Sequence, residues 1–290
     1  MSDAPAVIER PEAIHSIVRS GFDVVERPLG AWEKLYGNGA VRKTALLVLL
    51  ALAWEGYARW LNNPLLFPTF LDTAKAFFTA IGSGELPRAA SYTIQLLLKG
   101  YAAGLVLAAL LTALASATRI GADLLETLTS MFNPLPSIAL LPLALIWFGL
   151  GDGSVIFVLI HAVLWAVALN TYSGFRAVSP TLRMVGQNYG LSKIGYILRI
   201  LIPGAFPSIL TGLKVGWAFA WRTLIAAELV FGVSSGSGGL GWYIFEEKNQ
   251  LLIPNVFAGL LTVILFGLIV ENLIFKTIES RTVRRWGMQA

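Results

Sequence analysis

Four ionisable side chains, His161, Lys214, Arg222 and Glu228, stand inside long apolar runs of this chain. Insertion scales put a charge at the centre of a lipid-facing helix at roughly 2.5–3.5 kcal/mol, so each is a functional candidate or has a partner. Arg222 carries the planar fork that suits the oxygens of a carboxylate, sulfonate or nitrate, and in that role it faces a solute path. The alternative is a structural pair with a carboxylate or carbonyl on another helix, and the sequence leaves both open. Arg222 and Glu228 are six residues apart, about 240° around a helix and roughly 9 Å along it, so they do not pair with each other. Trp217 and Trp221, four apart on one face beside Arg222, join it as candidate lining of that path. His161 either lines a cavity or satisfies a backbone carbonyl, and the carbonyl is the simpler reading. Glu228 reads as structural, near the outer end of its run.

The elements that must position these groups follow from composition. In 290 residues, 56% are hydrophobic and 13% charged, with a mean hydropathy of +0.69. That is too apolar for an ordinary soluble domain and too long for a simple anchor. At roughly 20 apolar residues per crossing, six spans emerge, near Val41–Leu61, Thr93–Thr118, Leu124–Gly149, Ser154–Phe175, Ile209–Phe231 and Leu251–Thr277. They must be helices, because lipid leaves no other way to satisfy the backbone, and no run has the alternating ten-residue pattern of a membrane barrel. The expected fold is therefore an all-α membrane protein. Pro134, Pro136 and Pro142 fall in the third span and should kink or interrupt it.

Several chemistries are excluded or disfavoured. With no cysteine there is no disulfide, thiolate site or cysteine nucleophile. His15 and His161 lack the carboxylate or histidine spacing of a metal site, so no metal is expected. Gly236, Gly238 and Gly241 spell G-x-G-x-x-G, but between two apolar spans and without a preceding strand it is no dinucleotide loop. No G-x-x-x-x-G-K-[ST] occurs, so ATP hydrolysis is not expected on this chain. A membrane-embedded enzyme would need clustered nucleophile, base or metal ligands. An ATP-independent secondary transporter remains the alternative, although the internal repeat such carriers show is not visible.

Lysine and arginine set the orientation. Arg10, Arg19, Arg27, Lys34, Arg42 and Lys43 precede or open the first span, Arg119 follows the second, Arg176, Arg183, Lys193 and Arg199 follow the fourth, and Arg281, Arg284 and Arg285 close the chain. The opposite loops hold mainly Lys75, Arg88 and Lys248, which places both termini in the cytoplasm. The domain reading is a polar arm over 1–40, a transmembrane region over 41–277 and a basic tail over 278–290. On the outer side, Phe70, Leu71, Ala74, Phe77, Phe78 and Ile81 repeat at helical spacing within Leu65–Pro87 and read as an interfacial helix. The glycine- and serine-rich stretch Gly232–Gln250 reads as a loop with aromatic residues.

The cytoplasmic loop of about 178–206 carries a separate pattern. Gly190 is followed ten residues later by Ile200 and thirteen later by Pro203. Gly190 suits a tight turn, Ile194, Ile197, Leu198 and Leu201 fall at helical spacing, Lys193 and Arg199 add peripheral charge, and Pro203 is expected to stop the helix. Two further blocks accompany it: P-L-P-S-I-A-L-L-P-L-A-L-I-W-F-G-L-G-D from Pro134 to Asp152, and P-G-A-F-P-S-I-L-T-G-L-K from Pro203 to Lys214 leading to A-W-R-T-L-I-A-A-E-L from Ala220 to Leu229. In order, over about Phe67 to Trp286, these resemble the ABC importer permeases of the nitrate, sulfonate and taurine (bicarbonate) group. The usual Glu-Ala-Ala before the loop glycine is replaced here by Met184-Val185-Gly186.

The resemblance implies a type I permease with six spans per subunit in the bacterial inner membrane, working as a homodimer. It implies a coupling helix, here Gly190, Lys193, Ile194, Ile197, Leu198, Arg199, Ile200, Leu201 and Pro203, seated on two separate ATPase subunits that bind ATP and Mg, and a solute-binding protein outside. The cargo it implies is a small anionic or zwitterionic solute such as nitrate, a sulfonate, taurine or a similar carboxylate. No cofactor is expected on this chain.

Overall fold

A computed structural model of the chain describes residues 36–231, 238–285 and 287. Most of the arm read over 1–40, His15, Gly236 and the last residues of the basic tail lie outside the described residues. The described chain is helical, with no strand among the described residues.

Two units are distinguished. In the first, ending at Ala51, the described residues open α1 (Gly39–Leu61); Arg42 donates to the Tyr36 carbonyl oxygen and lies 5.9 Å from the centroid of that ring. The second begins at Leu52 and holds α2 (Phe70–Gly82), α3 (Glu85–Ala117), α4 (Arg119–Phe132), a 3-10 turn (Ser137–Leu140), α5 (Leu141–Phe148), α6 (Asp152–Ala177), α7 (Pro180–Asn188), α8 (Lys193–Tyr196), α9 (Phe206–Phe231), α10 (Leu240–Asn249), α11 (Ile253–Ile269) and α12 (Lys276–Arg281).

The centre of the second unit is α6, packed along α3 on one side and α9 on another. Small residues make the close approach possible, as they must where apolar area alone gives helices no reason to associate in lipid. Along α3, Gly100, Gly104, Ala108 and Thr112 recur every four residues. A Cβ at Gly100 would lie 2.6 Å from the Leu159 Cβ, and one at Gly104 would lie 2.7 Å from the Val163 Cβ. On α9, Gly212 and Gly216 meet Asn170, Val167 and Val163 in the same way.

Four helices, or continuous helical runs, are each long and apolar enough to cross a membrane: Gly39–Leu61, Glu85–Ala117, Asp152–Ala177 and Ile253–Arg281. Two bent pairs meet the same test together, Arg119–Phe132 with Ser137–Phe148 at 88° and Ile194–Gly204 with Phe206–Val230 at 74°. Six crossings result if each bent pair is one. The interruption expected of the third span is present: α4 ends before Pro134, and Pro136 is extended at φ −62°, ψ 122°. Pro142 does not break the chain, because it stands at the start of α5 where no amide donor is needed.

The outer helix predicted over Leu65–Pro87 is α2, capped by the Thr69 hydroxyl, which accepts from the Asp72 amide at 3.0 Å. Two expectations are corrected. Gly232–Gln250 is not a loop throughout: α10 occupies Leu240–Asn249 with Tyr243, Ile244 and Glu247 buried. Pro203 does not stop its helix; it sits inside the last turn, Ile202–Gly204, and the bend falls at Ala205.

Candidate functional site

A cavity of about 420 Å³ opens where the third span breaks. Its floor is the irregular segment Asn133 to Ile138, where the backbone leaves the helix because the prolines cannot continue it. Phe219, Arg222, Thr223 and Ala226 of α9 form one wall, at i, i+3, i+4 and i+7 and hence on one helical face. His161, Ala162 and Trp165 of α6 form another. Irregular backbone at membrane depth is tolerated beside such a cavity and not against lipid.

The sequence candidates Arg222, His161, Pro134 and Pro136 are therefore brought together from three elements. The Arg222 side chain is exposed, and among the described residues it has neither ion pair nor hydrogen bond, so the structural pairing left open by the sequence is not made with any of them. His161 Nδ1 lies 3.1 Å from the Ser137 hydroxyl rather than on a backbone carbonyl, a correction to the simpler reading. The hydroxyl comes from the floor itself, one residue after Pro136, a relation sequence spacing cannot reveal. His161 and Trp165 belong to a cluster of three rings: Phe132 stacks on Trp165 at 5.5 Å and 11°, and His161 meets Phe132 and Trp165 edge-on at 6.3 and 6.0 Å. His161 Nε2 and Trp165 Nε1 are buried and have no hydrogen-bond partner among the described residues. Among the described residues no carboxylate lines the cavity.

Trp217 and Trp221 do not join this site. At 100° per residue the series 217, 221, 224, 228 lies on the opposite face of α9 from 219, 222, 223, 226. Trp217 packs on Tyr101 at 5.5 Å and Phe275 at 6.4 Å, and Trp221 on Phe266 at 6.3 Å. Adjacency in sequence to Arg222 was a poor guide, because one step along a helix turns the side chain through more than a right angle.

Glu228 ends that inner face, 5% exposed. The Thr93 hydroxyl of α3 donates to its carboxylate at 2.9 and 3.0 Å, and the Gly241 amide of α10 donates to Oε2 at 2.8 Å. The Leu240 amide in turn donates to the Thr93 oxygen at 2.8 Å. A side chain at Gly239 would collide with this carboxylate, and a Cβ at Gly241 would lie 2.6 Å from the Glu228 Cβ. Gly239 and Gly241 are thus explained by close approach. Lys214, buried on the sequence reading, reaches Glu279 at 2.6 Å, and Arg284 approaches the same carboxylate at 3.6 Å.

The loop after α6 forms a second candidate surface. Gly190 has φ +62° with open space around its Cβ position, so backbone conformation and not crowding demands glycine. The Arg183 guanidinium, which the sequence offers only as an orienting charge, donates to the carbonyl oxygens of Phe175 at 2.6 Å and Val178 at 3.1 Å and ties α7 to the end of α6. After α8, Ile197–Leu201 forms a π-helical turn. That wider turn alters the expected face. Leu201 is buried, with Ile197 and Ile200 packed beside it on Phe175, Val178 and Ala205, so these three face inward. Ile194 and Leu198 are 71% and 58% exposed, with Tyr189 at 79% and an exposed Arg199 near them. At Gly186, in the departure from Glu-Ala-Ala, a Cβ would lie 2.8 Å from the Tyr196 ring, so this position serves close packing of α7 on the following turn.

Residues 100–284 match the family model described as binding-protein-dependent transport system inner membrane component. A putative ABC transporter permease protein of Methanocaldococcus jannaschii is 30% identical over 82% of this chain and 90% of its own length. A putative aliphatic sulfonates transport permease protein of Escherichia coli is 30% identical over 78% of this chain and 84% of its own. The taurine transport system permease protein of Escherichia coli is 32% identical over 51% of this chain and 52% of its own.

Proposed function

The chain belongs to the binding-protein-dependent inner membrane transport components and is a multi-pass ABC importer permease, and from that premise we propose that it conducts a small anionic or zwitterionic solute through the cavity at the break in its third span. The observation that carries this reading is the placing of an unpaired Arg222 on a cavity floored by Pro134 to Ser137. A fixed cation there attracts an anion without an acidic neighbour to satisfy it first.

The permease is a conduit. ATP, with Mg, is bound and hydrolysed by two separate ATPase subunits, a second copy of this chain completes the path, and a solute-binding protein delivers cargo from outside. Both termini and the Gly190 loop face the cytoplasm, as the distribution of lysine and arginine favours. Ile194 and Leu198, with Arg199 at their rim, offer the exposed apolar seat for an ATPase cleft. Closure of the ATPases moves that seat as a rigid body. The 74° bend between Ile194–Gly204 and Phe206–Val230 then passes the movement to α9, which carries Arg222.

The test is purification of a tagged chain in mild detergent from its host, followed by reconstitution of whatever accompanies it into liposomes. Solute uptake that requires both ATP and a co-purified ATPase is the expected result. Uptake by this chain alone, without ATP, would make it a secondary carrier and overturn the proposal.

A further inference from the structure

The cavity holds a feature that the coupling of a permease to its ATPases does not require. Two ring nitrogens of residues that line it, Trp165 Nε1 and His161 Nε2, are buried beneath the lining, shut from water, and have no partner among the described residues. Trp165 is 8% exposed, and its indole N–H can only donate. His161 meets the Ser137 hydroxyl at Nδ1, and with that hydroxyl donating, the imidazole keeps its proton on Nε2 and presents a second donor. A tryptophan buried with its N–H unused is an unfavourable choice for a wall that phenylalanine could fill, and Phe132 already stacks on the same ring. An unsatisfied pair on residues that line the same cavity as an Arg222 without a partner among the described residues points to a ligand made of acceptors.

We propose that Trp165 and His161 are the neutral donors of an oxyanion site, joining Arg222 on the oxygens of a solute such as a sulfonate, and that the site discriminates against solutes that also carry an ammonium group. The inference rests on the reading of this cavity as the solute path. Both donors are covered in the present conformation, so they engage when the Pro134–Ser137 segment parts from α6 to admit the anion. Discrimination follows from the lining: among the described residues that contribute to it none is Asp or Glu, while Glu228 lies on the opposite face of α9 and is already bonded to Thr93 and Gly241. An ammonium group would lose its water there and find Arg222 of like sign.

The experiment uses the permease with its co-purified ATPase in lipid nanodiscs, the indole nitrogens labelled with 15N and methanesulfonate or taurine added at matched ionic strength. The Trp165→Phe variant assigns the Trp165 indole signal. Methanesulfonate should shift that signal at concentrations where taurine does not, and Arg222→Ala should abolish the shift. Trp165→Phe should cut methanesulfonate uptake at least tenfold in the reconstituted importer while leaving Tm equal to or above that of the natural protein, since it removes an unsatisfied donor and keeps the ring. A lowered Tm would make Trp165 a structural residue and overturn the inference. An unmoved indole signal, with uptake still lost in Arg222→Ala, would refute the donor pair and leave the path reading intact. Uptake unaffected by either variant would remove both. Equal shifts with methanesulfonate and taurine would refute the discrimination.

Discussion

Replacing Arg222 by alanine separates transport from stability, because the side chain is exposed and has no partner among the described residues. Nothing buried is orphaned by its removal, so the change in stability should stay within about 0.5 kcal/mol, the usual range for a surface position without special contacts. The solute, by contrast, loses a charge-assisted hydrogen bond worth about 1.5–3 kcal/mol. At about 1.4 kcal/mol per factor of ten, uptake at low solute concentration should fall roughly 10- to 150-fold. Arg222→Lys keeps the charge and loses the planar fork, so it should recover part of the rate and not all of it. The assay is initial uptake of a radiolabelled sulfonate into proteoliposomes holding the importer with its ATPases and binding protein. Thermal unfolding followed by size-exclusion chromatography controls for assembly. Uptake within twofold of the natural protein, or a loss matched by an equal loss of folded complex, would refute the reasoning.

Other positions make different demands. Gly190→Val forces a β-branched residue to φ +62°, at about 1–2 kcal/mol of local strain; ATPase co-purification and transport should be lost while the thermal midpoint of the detergent-extracted permease falls by only about 2–4 °C. Glu228→Ala leaves the Thr93 hydroxyl and the Gly241 amide without their acceptor, at about 1–3 kcal/mol for each orphaned donor, so unfolding should come earlier; Glu228→Gln retains an acceptor of the same shape and should lose much less. Gly104→Leu pushes a side chain into Val163 where even a Cβ would come within 2.7 Å, and overpacking of about 1–3 kcal/mol or more should appear as lower yield of folded protein. Lys214→Met removes the partner of Glu279, and trypsin should then cut faster at Arg281 and Arg284, read by mass spectrometry of the released C-terminal peptide.

The sequence by itself determined the class of fold, the approximate spans, the broken third helix and the family, because each is written locally. Apolar runs of bilayer length leave the backbone one solution, proline removes amide donors wherever it stands, and Gly190 carries a conformation other residues resist. It also singled out Arg222 and His161 by the expense of placing such groups among apolar neighbours. Which faces meet was not legible. Trp217 and Trp221 read as neighbours of Arg222 and pack on the far side of α9. Leu201 fell at the spacing of an exposed docking face, and the π-helical turn carries it inward. Trp165, Ser137 and Thr93 drew no attention, since an indole, a hydroxyl and a threonine in apolar runs look like filler until their partners, or the lack of them, are known. Tertiary structure decided those roles because they depend on distances between segments far apart in the chain, such as Thr93 to Glu228 at 2.9 Å, and a periodicity within one helix contains no term for its neighbours.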